Sequence, residues 1–135
     1  MNIFFLSMDP EKLAYMYCDQ HVIKILLEIC QMMYTSWFYS NEIEYVEKNA
    51  PHTVNNKRRG YRPCHKNHPM TLWISSSYEN YKFAGEIGLA LALEYKKRFG
   101  KIHACSKHIL WLYQNKPSRF QLRESETAYY PITDF

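Results

Sequence analysis

The sequence predicts an all-α protein: a compact single domain of about three to five helices with a long irregular basic loop. Three observations predict this class. Apolar residues recur at helical spacing over several stretches, and Pro, Gly, Ser and Asp stand where those stretches begin or end. No segment alternates polar and apolar residues over a useful length, as a half-buried strand would. No internal repeat indicates a solenoid.

The bulk composition indicates a globular, intracellular protein. A chain of 135 residues can bury its own core, so we assign residues 1–135 to one helical domain. Hydrophobic residues make up 47% of it and aromatic residues 16%, which excludes intrinsic disorder. The four cysteines lack the spacing of a disulfide scaffold, and the apolar part of "MNIFFLSMDP" is too short for a signal peptide or membrane span. No membrane partner is expected.

The first two helices are predicted from local signals. "MNIFFLS" is expected to form a short buried strand or an extended arm. In "DPEK", Asp9 is a suitable N-cap, Pro10 suits the first helical position and Glu11 the first turn. This short helix leads into a long one that continues to about Phe38 or Tyr39.

The rest of the chain contains two more helical stretches. Residues 41–68 are rich in Asn, Pro, Gly and basic residues, which predicts an irregular segment. A helical stretch covers about 70–99, with the serines at 75–77 as a point where it can restart, and it ends at Gly100. Another helix fits 105–115 and ends before Pro117. The aromatic tail "ESETAYYPITDF" is expected to pack back on the body.

The long helix carries a narrow polar stripe. In "CDQHVIKILLEICQMMYTSW", residues 18–37, five polar positions fall within an arc of roughly 80° on a helical wheel: His21, Lys24, Glu28, Gln31 and Thr35. Most of the other positions are apolar, so the helix should be largely enclosed. The stripe then faces either a thin strip of solvent or an internal cleft.

Lys24 and Glu28 are the strongest candidates for chemistry within the stripe. They lie four residues apart on one face, close enough for an ion pair. In a cleft lined by Lys24 and His21, the Glu28 carboxylate could stabilise a developing cation at a sugar carbon or move a proton. The alternative is a plain salt bridge on a solvated face.

The uneven distribution of charge indicates a polyanionic partner. Residues 1–50 contain three Lys or Arg and seven Asp or Glu, whereas residues 51–119 contain thirteen and three. Five cations without an acid lie in "KRRGYRPCHKNHP": Lys57, Arg58, Arg59, Arg62 and Lys66. A soluble basic face is the alternative explanation.

The segment "HKNHPMTLW" places polar side chains just before a helix that begins with a proline. His65, Asn67 and His68 precede the free N–H groups of that helix, which attract anions. A phosphate-binding loop and a turn in which His68 caps the helix are both consistent with this pattern.

Several common sites are absent from the sequence. It contains no Gly-rich phosphate loop, Walker lysine or G-x-S-x-G turn. Two Cys/His groups could in principle assemble a zinc site, Cys64 with His65 and His68 and Cys105 with His103 and His108, but neither has a C-x-x-C or H-E-x-x-H spacing. We therefore predict neither a metal nor a cofactor.

Two segments resemble a known enzyme family. "CDQHVIKILLE" is similar to the DQH triplet, followed after six residues by glutamate, of the bacteriophage-type pyrimidine-dimer DNA glycosylases, also called endonuclease V. "YENYKFAGEIGLALALEYKKRFG" resembles the second long helix of that family. The chain also resembles uncharacterised small proteins of large DNA phages and viruses with an N-H-P…W…N-Y box, here Asn67, His68, Pro69, Trp73, Asn80 and Tyr81.

The resemblance implies a divergent DNA glycosylase, with AP-lyase activity as a further expectation. Glu28 matches the catalytic glutamate of the family, and Asp19, Gln20 and His21 match its DQH triplet. The family uses an N-terminal amine as its nucleophile, which here leaves Met1 and Lys24 as alternatives. The residue before the glutamate is Leu27, where the family has a basic residue.

The implied partner is DNA or a nucleotide, inside the host cell if the chain is viral. The predicted binding residues are Arg58, Arg59, Arg62, His65, Lys66, Asn67, His68, Asn80 and Tyr81. Two other functions remain open: a nucleotide or phosphodiester hydrolase that uses His65, His68 and His103, and a non-catalytic nucleic-acid-binding or protein-binding module.

Overall fold

The computed structural model describes residues 9–16, 18–53 and 58–123. These residues form seven helices: α1 (Pro10–Met16), α2 (Asp19–Tyr39), α3 (Ile43–Asn49), α4 (Pro69–Ser76), α5 (Tyr78–Phe99), α6 (Ser106–Gln114) and α7 (Ser118–Arg123). The only β pairing among them is an isolated antiparallel bridge between His52 and Arg59. The predicted all-α class is confirmed. The expected N-terminal strand or arm and the tail after residue 123 lie outside the described residues.

The helix ends follow the local signals. Asp9 caps α1, because its Oδ1 accepts a hydrogen bond from the Glu11 N–H at 3.0 Å. Gly100 ends α5 in the left-handed conformation, with φ of 68°, after the basic residues of the last turn. α6 ends at Gln114, before Pro117 as predicted.

Three features raise the number of helices above the predicted three to five, and one of them is the short helix α7 after Pro117. Ser77 is extended, and its side chain accepts a hydrogen bond from the Asn80 N–H at 3.1 Å, so the stretch from 69 to 99 is divided into α4 and α5. Helix α3 lies in the segment that was predicted to be irregular. It forms because Ile43, Val46 and Ala50 share one face, on which Val46 and Ala50 are buried.

The core is built around α2 and α5. Helix α2 packs against α3, α4, α5 and α6, and α5 also contacts α1, α4 and α6. Four core residues are 0% exposed: Ile25, Leu26 and Ile29 of α2 and Leu91 of α5. Ile87 of α5 is 1% exposed. This central position holds the backbone of α2 rigidly, and with it the polar stripe.

Arg98 joins the start of α2 to two other helices. Its guanidinium donates to Glu94 on α5 at 2.7 Å and to Asp19 on α2 at 3.0 Å. It also donates to the carbonyl of Tyr15 near the end of α1 at 3.0 Å. One planar group with several donors therefore fixes how α1 and α2 sit against α5. None of the helices in the described ranges is both long and apolar enough to cross a membrane.

Candidate functional site

The polar stripe of α2 changes from exposed to buried along the helix. Lys24 is exposed, His21, Glu28 and Gln31 are half-buried, and Thr35 is fully buried. Enclosure of the helix is less complete than predicted, because Ile23 and Leu27 beside the stripe are 41% and 36% exposed. The first half of the stripe is therefore accessible, whereas its second half is covered.

We name residues 58–68 the basic loop. Its part from Tyr61 to His68 covers the second half of the stripe. The Thr35 hydroxyl lies 2.8 Å from the carbonyl oxygen of Cys64 and accepts a hydrogen bond from the Cys64 N–H at 3.0 Å. The Nε2 atom of His65 lies 3.0 Å from the Gln31 Oε1 atom. Two stripe residues, Gln31 one turn and Thr35 two turns beyond Glu28, thus attach the loop to α2.

His65 reaches Gln31 from an uncommon backbone conformation. Its φ is 54°, in the left-handed region that only a few per cent of non-glycine residues adopt. The turn closes through a hydrogen bond from the His68 N–H to the His65 carbonyl at 3.1 Å. This strained backbone conformation places the imidazole of His65 at the edge of the stripe. Backbone strain of this kind is enriched at functional sites.

Glu28 has an unusual environment. Its Oε1 atom is buried and has no hydrogen-bond partner among the described residues. It forms no ion pair with Lys24 in the described part of the chain, so the plain salt bridge considered as the alternative does not form there. An unpaired buried carboxylate oxygen costs free energy, and a water molecule or a ligand that donates a hydrogen bond to Oε1 would offset that cost.

The predicted cations of the basic loop have two different roles. Arg59 donates to the Ala50 carbonyl at 2.9 Å, and Arg58 lies 3.9 Å from the Glu47 carboxylate, so both connect the loop to the end of α3. Arg62 and Lys66 are exposed instead. The Lys66 ammonium lies 4.4 Å from the centre of the Phe38 ring. These last two side chains can reach a polyanion without breaking a charge-assisted bond.

His68 caps α4, as one of the two interpretations of the motif predicted. Its Nδ1 atom accepts a hydrogen bond from the Met70 N–H at 3.1 Å, which leaves Nε2 as the nitrogen that could meet a ligand. Its ring centre lies 6.4 Å from that of His65. Asn67, between the two histidines, is exposed.

Asn80 and Tyr81 lie in the core rather than at a binding surface. Their side chains are 0% and 1% exposed, so the predicted contact of either with nucleic acid is corrected to a structural role. The Asn80 amide donates to the Trp73 carbonyl at 2.9 Å and joins α4 to α5. The Tyr81 hydroxyl accepts from the Trp37 indole N–H at 3.1 Å and lies 2.9 Å from the Leu112 carbonyl, which connects α2, α5 and α6. Tyrosine and asparagine are suited both to contacts with nucleic acid and to hydrogen bonds in a core. The sequence did not show that Asn80 and Tyr81 are buried.

Four further predictions concerned a nucleophile (Met1), a loop cation (Lys57), metal ligands and a catalytic histidine (His103). Met1 and Lys57 lie outside the described residues. Within the ranges that the structure describes, no three His, Cys, Asp or Glu side chains come together as a metal site would require. His103 contacts the Tyr95 ring and accepts a hydrogen bond from the Cys105 N–H, so its surroundings differ from those of His65 and His68.

The sequence did not indicate a buried polar cluster between α2 and α6. The Tyr34 hydroxyl lies 2.7 Å from the Nδ1 atom of His108, and the Tyr61 hydroxyl lies 3.4 Å from the sulfur of Cys105. Burial, together with the charge of Lys107, lowers the pKa of His108 to about 4. The cluster was not predictable, because its two bonded pairs join residues that are 74 and 44 positions apart in the chain.

A pocket of about 310 Å³ lies near the C-terminal end of α2. It is lined by Trp37, Glu42, Tyr45, Tyr78, Tyr113, Gln114, Asn115, Lys116 and Ser118. The Trp37 ring stacks on Tyr45 with the two planes 2° apart and lies 5.5 Å from the Trp111 ring. Glu42 fixes one wall by accepting a hydrogen bond from the Ser118 N–H at 2.9 Å. None of the stripe residues belongs to this lining.

Comparisons of the chain with protein-family models, with curated proteins and with solved structures found no match. The likeness to pyrimidine-dimer glycosylases therefore rests on the motifs alone and stays a prediction.

Proposed function

We propose that the protein is a DNA glycosylase that removes a damaged or modified base, with the exposed half of the α2 stripe as its active site. The observation that carries this proposal is the Glu28 carboxylate, half-buried on a rigid central helix with one oxygen unpartnered among the described residues. A fixed carboxylate is the group that glycosidic-bond cleavage needs beside the sugar, where positive charge develops in the transition state.

The proposed reaction uses an amine and Glu28. The amine attacks C1′ of the deoxyribose while the bond from C1′ to the base breaks, and the base leaves with a proton. The sugar ring opens to give an iminium ion linked to the protein, which water hydrolyses to release the amine. Glu28 stabilises the positive charge at C1′ and moves protons at this centre. The amine is that of Lys24, exposed one turn from Glu28, or that of Met1.

The basic loop supports the proposed substrate. Arg62 and Lys66 are exposed on the loop that covers the second half of the stripe, so phosphates of the same strand could be bound along α2 beyond Glu28. An enzyme that acts on a base must take it out of the stack, and the half-exposed Glu28 side chain beside the exposed Lys24 is where we place such a nucleotide. The glutamate and the cations would then act on one nucleotide and its flanking phosphates.

The test is covalent trapping with borohydride. The protein is incubated with duplexes that contain ultraviolet photoproducts, oxidised or alkylated bases, or an abasic site, in the presence of sodium borohydride. Reduction of the iminium ion gives a stable amine adduct, which peptide mass mapping should place at Lys24 or at Met1. Lys24→Met should abolish an adduct at Lys24, whereas Lys48→Met, at an exposed lysine of α3, should leave it unchanged.

Glu28→Gln separates catalysis from folding. We expect a normal thermal melt and a drop in single-turnover base release of about two orders of magnitude, since the charge is lost and the shape kept. Glu44→Gln, at an exposed glutamate of α3, is the matched control and should cleave at the parent rate. If the protein binds every duplex but yields neither base release nor a covalent adduct, the proposal is wrong. The protein would then be a non-catalytic nucleic-acid-binding module.

A further inference from the structure

The pocket near the C-terminal end of α2 lies where five helices meet. Its lining comes from the last turns of α2 and α6, from α3 with the residue before it, and from the first residues of α5 and α7. Its volume of about 310 Å³ is at the lower end of the range for small-molecule sites. A cavity of this size takes one small molecule rather than a segment of a macromolecule.

Aromatic rings give the pocket flat apolar surfaces. Four of its nine lining side chains are aromatic: Trp37, Tyr45, Tyr78 and Tyr113. Trp37 is 2% exposed, and its indole N–H donates to the Tyr81 hydroxyl at 3.1 Å. Tyr45 packs parallel to this buried indole with the ring centres 5.4 Å apart, yet it is 46% exposed. A ring that is held in place and still exposed can stack on a planar ligand at a low cost in side-chain entropy.

A carboxylate is held in the wall of the pocket. The Glu42 Oε1 atom accepts a hydrogen bond from the Ser118 N–H at 2.9 Å, and Oε2 lies 3.2 Å from the same nitrogen. The Ser118 hydroxyl also donates to Glu42. These bonds orient the carboxylate, and since a carboxylate has about four acceptor positions, it can accept further bonds from a ligand. Two adjacent N–H donors on the ligand match its two oxygens best.

A cation lies in the same lining. The Lys116 ammonium is 4.2 Å from the centre of the Tyr78 ring. The neighbouring Asn115 side chain is fixed, because its amide donates to the Trp111 carbonyl at 2.9 Å. The pocket thus combines aromatic surfaces, an oriented acceptor and a positive charge. The matching ligand has a planar ring, N–H donors on the edge of that ring and an anionic substituent.

The geometry points to a binding site for guanosine monophosphate in this pocket. Guanine carries two adjacent N–H donors, at N1 and at the 2-amino group, and these match the two oxygens of Glu42. The other nucleobases place an acceptor beside their donor on the same edge, which a carboxylate repels. The base stacks on Tyr45, and the phosphate lies at the Lys116 ammonium. This inference is independent of the proposed glycosylase activity, because no stripe residue lines the pocket.

The experiment is isothermal titration calorimetry of the whole chain with GMP, AMP, CMP, UMP, guanosine and ribose 5-phosphate. We expect GMP to bind at a single site and more tightly than the other three nucleotides by about tenfold or more, as a bidentate contact to one base edge provides. Guanosine should bind more weakly than GMP, since it lacks the phosphate. Quenching of tryptophan fluorescence should accompany GMP binding, because the base stacks beside Trp37.

Three variants test the three contacts separately. Tyr45→Ala should weaken GMP binding by about tenfold through loss of stacking. Lys116→Met keeps the side-chain length and should abolish the preference for GMP over guanosine. Glu42→Gln should abolish the preference for GMP over AMP. The controls Glu44→Gln, on α3, and Lys101→Met, in the turn after α5, remove the same charges at exposed positions outside the pocket and should bind GMP like the parent.

Three results would overturn the inference. One is the absence of saturable binding of GMP at millimolar concentration. Another is equal affinity for GMP and ribose 5-phosphate, which would show that the protein recognises a phosphate and no base. The third is loss of GMP binding in Arg62→Ala/Lys66→Ala with full binding in Tyr45→Ala, which would place the nucleotide on the basic loop. Tyr45 is exposed, so its variant gives this answer even if Glu42→Gln does not fold. None of these results bears on the glycosylase, which is tested by base release and adduct formation.

Discussion

At the scale of single residues, His108 shows how a buried polar side chain acquires fixed roles. Burial raises the pKa of Tyr34 above its ordinary value, so its hydroxyl stays protonated and donates to the Nδ1 atom of His108 across 2.7 Å. Burial and the charge of Lys107 lower the pKa of His108, and the backbone of His52 acts in the opposite direction. The hydrogen bond between Tyr34 and His108 connects α2 with α6.

This arrangement predicts an acid-sensitive fold. The pKa of His108 is about 4 in the folded protein, against an ordinary value of 6.5 in the unfolded chain. Between these values the unfolded chain binds a proton that the folded protein does not, so stability decreases as pH falls from about 6.5 to about 4. The contribution of His108 to this loss is up to about 3 kcal/mol.

The measurement is urea unfolding at a series of pH values, with His108→Gln as the comparison. Glutamine retains a donor and an acceptor but does not titrate, so the stability of this variant should depend less steeply on pH over the same interval. Equal slopes for the two proteins would show that other groups cause the acid sensitivity.

At the scale of elements, the approach of α5 to α6 depends on a glycine. A Cβ atom at Gly88 would lie 2.4 Å from Cγ1 of Ile109, a side chain that is fully buried. A Cβ at Gly85, one turn earlier, would lie 2.8 Å from a ring carbon of Tyr113, which is only half-buried and can rotate away. The two helices are thus closest at Gly88.

Gly88→Ala should destabilise the protein. Overpacking a rigid contact costs about 1–3 kcal/mol, which exceeds the gain of up to about 1 kcal/mol from alanine's higher helix propensity. Gly85→Ala is the matched control and should have a smaller effect or a stabilising one. In a double-mutant cycle, Ile109→Ala should remove most of the penalty of Gly88→Ala, and strict additivity of the two changes would contradict the steric explanation.

Helix boundaries were largely predictable, because they depend on neighbouring residues. Asp9 and Pro10 start α1, Gly100 ends α5, and the stripe from His21 to Thr35 requires α2 to be one continuous helix. Helix α3 was missed, since it is short and lies in a segment whose Asn, Pro and Gly residues favour a loop. The spacing of the five stripe residues was enough to predict that they share one face of α2.

Contacts between distant segments were not predictable in the same way. Thr35 and Cys64 are 29 residues apart, and nothing in the spacing of either indicates that they bond. The burial of Asn80 and Tyr81 depends on how α4, α5 and α6 pack against each other. No local sequence pattern shows that packing. The predicted site residues consequently divide into an exposed group and a group that holds the core together.

At the scale of the whole molecule, the excess of positive charge after residue 50 is only partly available to a partner. Arg59 and Arg98 donate to backbone carbonyls, and Arg98 also pairs with two carboxylates, so both stabilise the fold. Arg62 and Lys66 remain exposed on the basic loop. A sequence count of charge therefore overstates the binding surface.

Replacement of Arg62 and Lys66 by alanine should weaken binding to DNA and reduce its salt dependence. Each lost phosphate contact lowers the slope of log K against log salt concentration by about one unit, so the double variant should lose about two. The control Lys96→Ala/Lys97→Ala removes the same charge from exposed positions in the last turn of α5. Fluorescence anisotropy at several salt concentrations measures both, and equal slopes for the two variants would contradict a specific role of the loop.

The aromatic rings at the end of α2 give the protein a built-in optical signal. Trp37, Tyr45 and Trp111 belong to α2, α3 and α6, and their ring centres lie 5.4 to 6.2 Å apart. At such separations the electronic transitions of neighbouring rings couple, which gives paired bands of opposite sign in circular dichroism and lets the two indoles share excitation energy. The light absorbed and emitted by the molecule therefore reports the mutual placement of three helices, without any attached label.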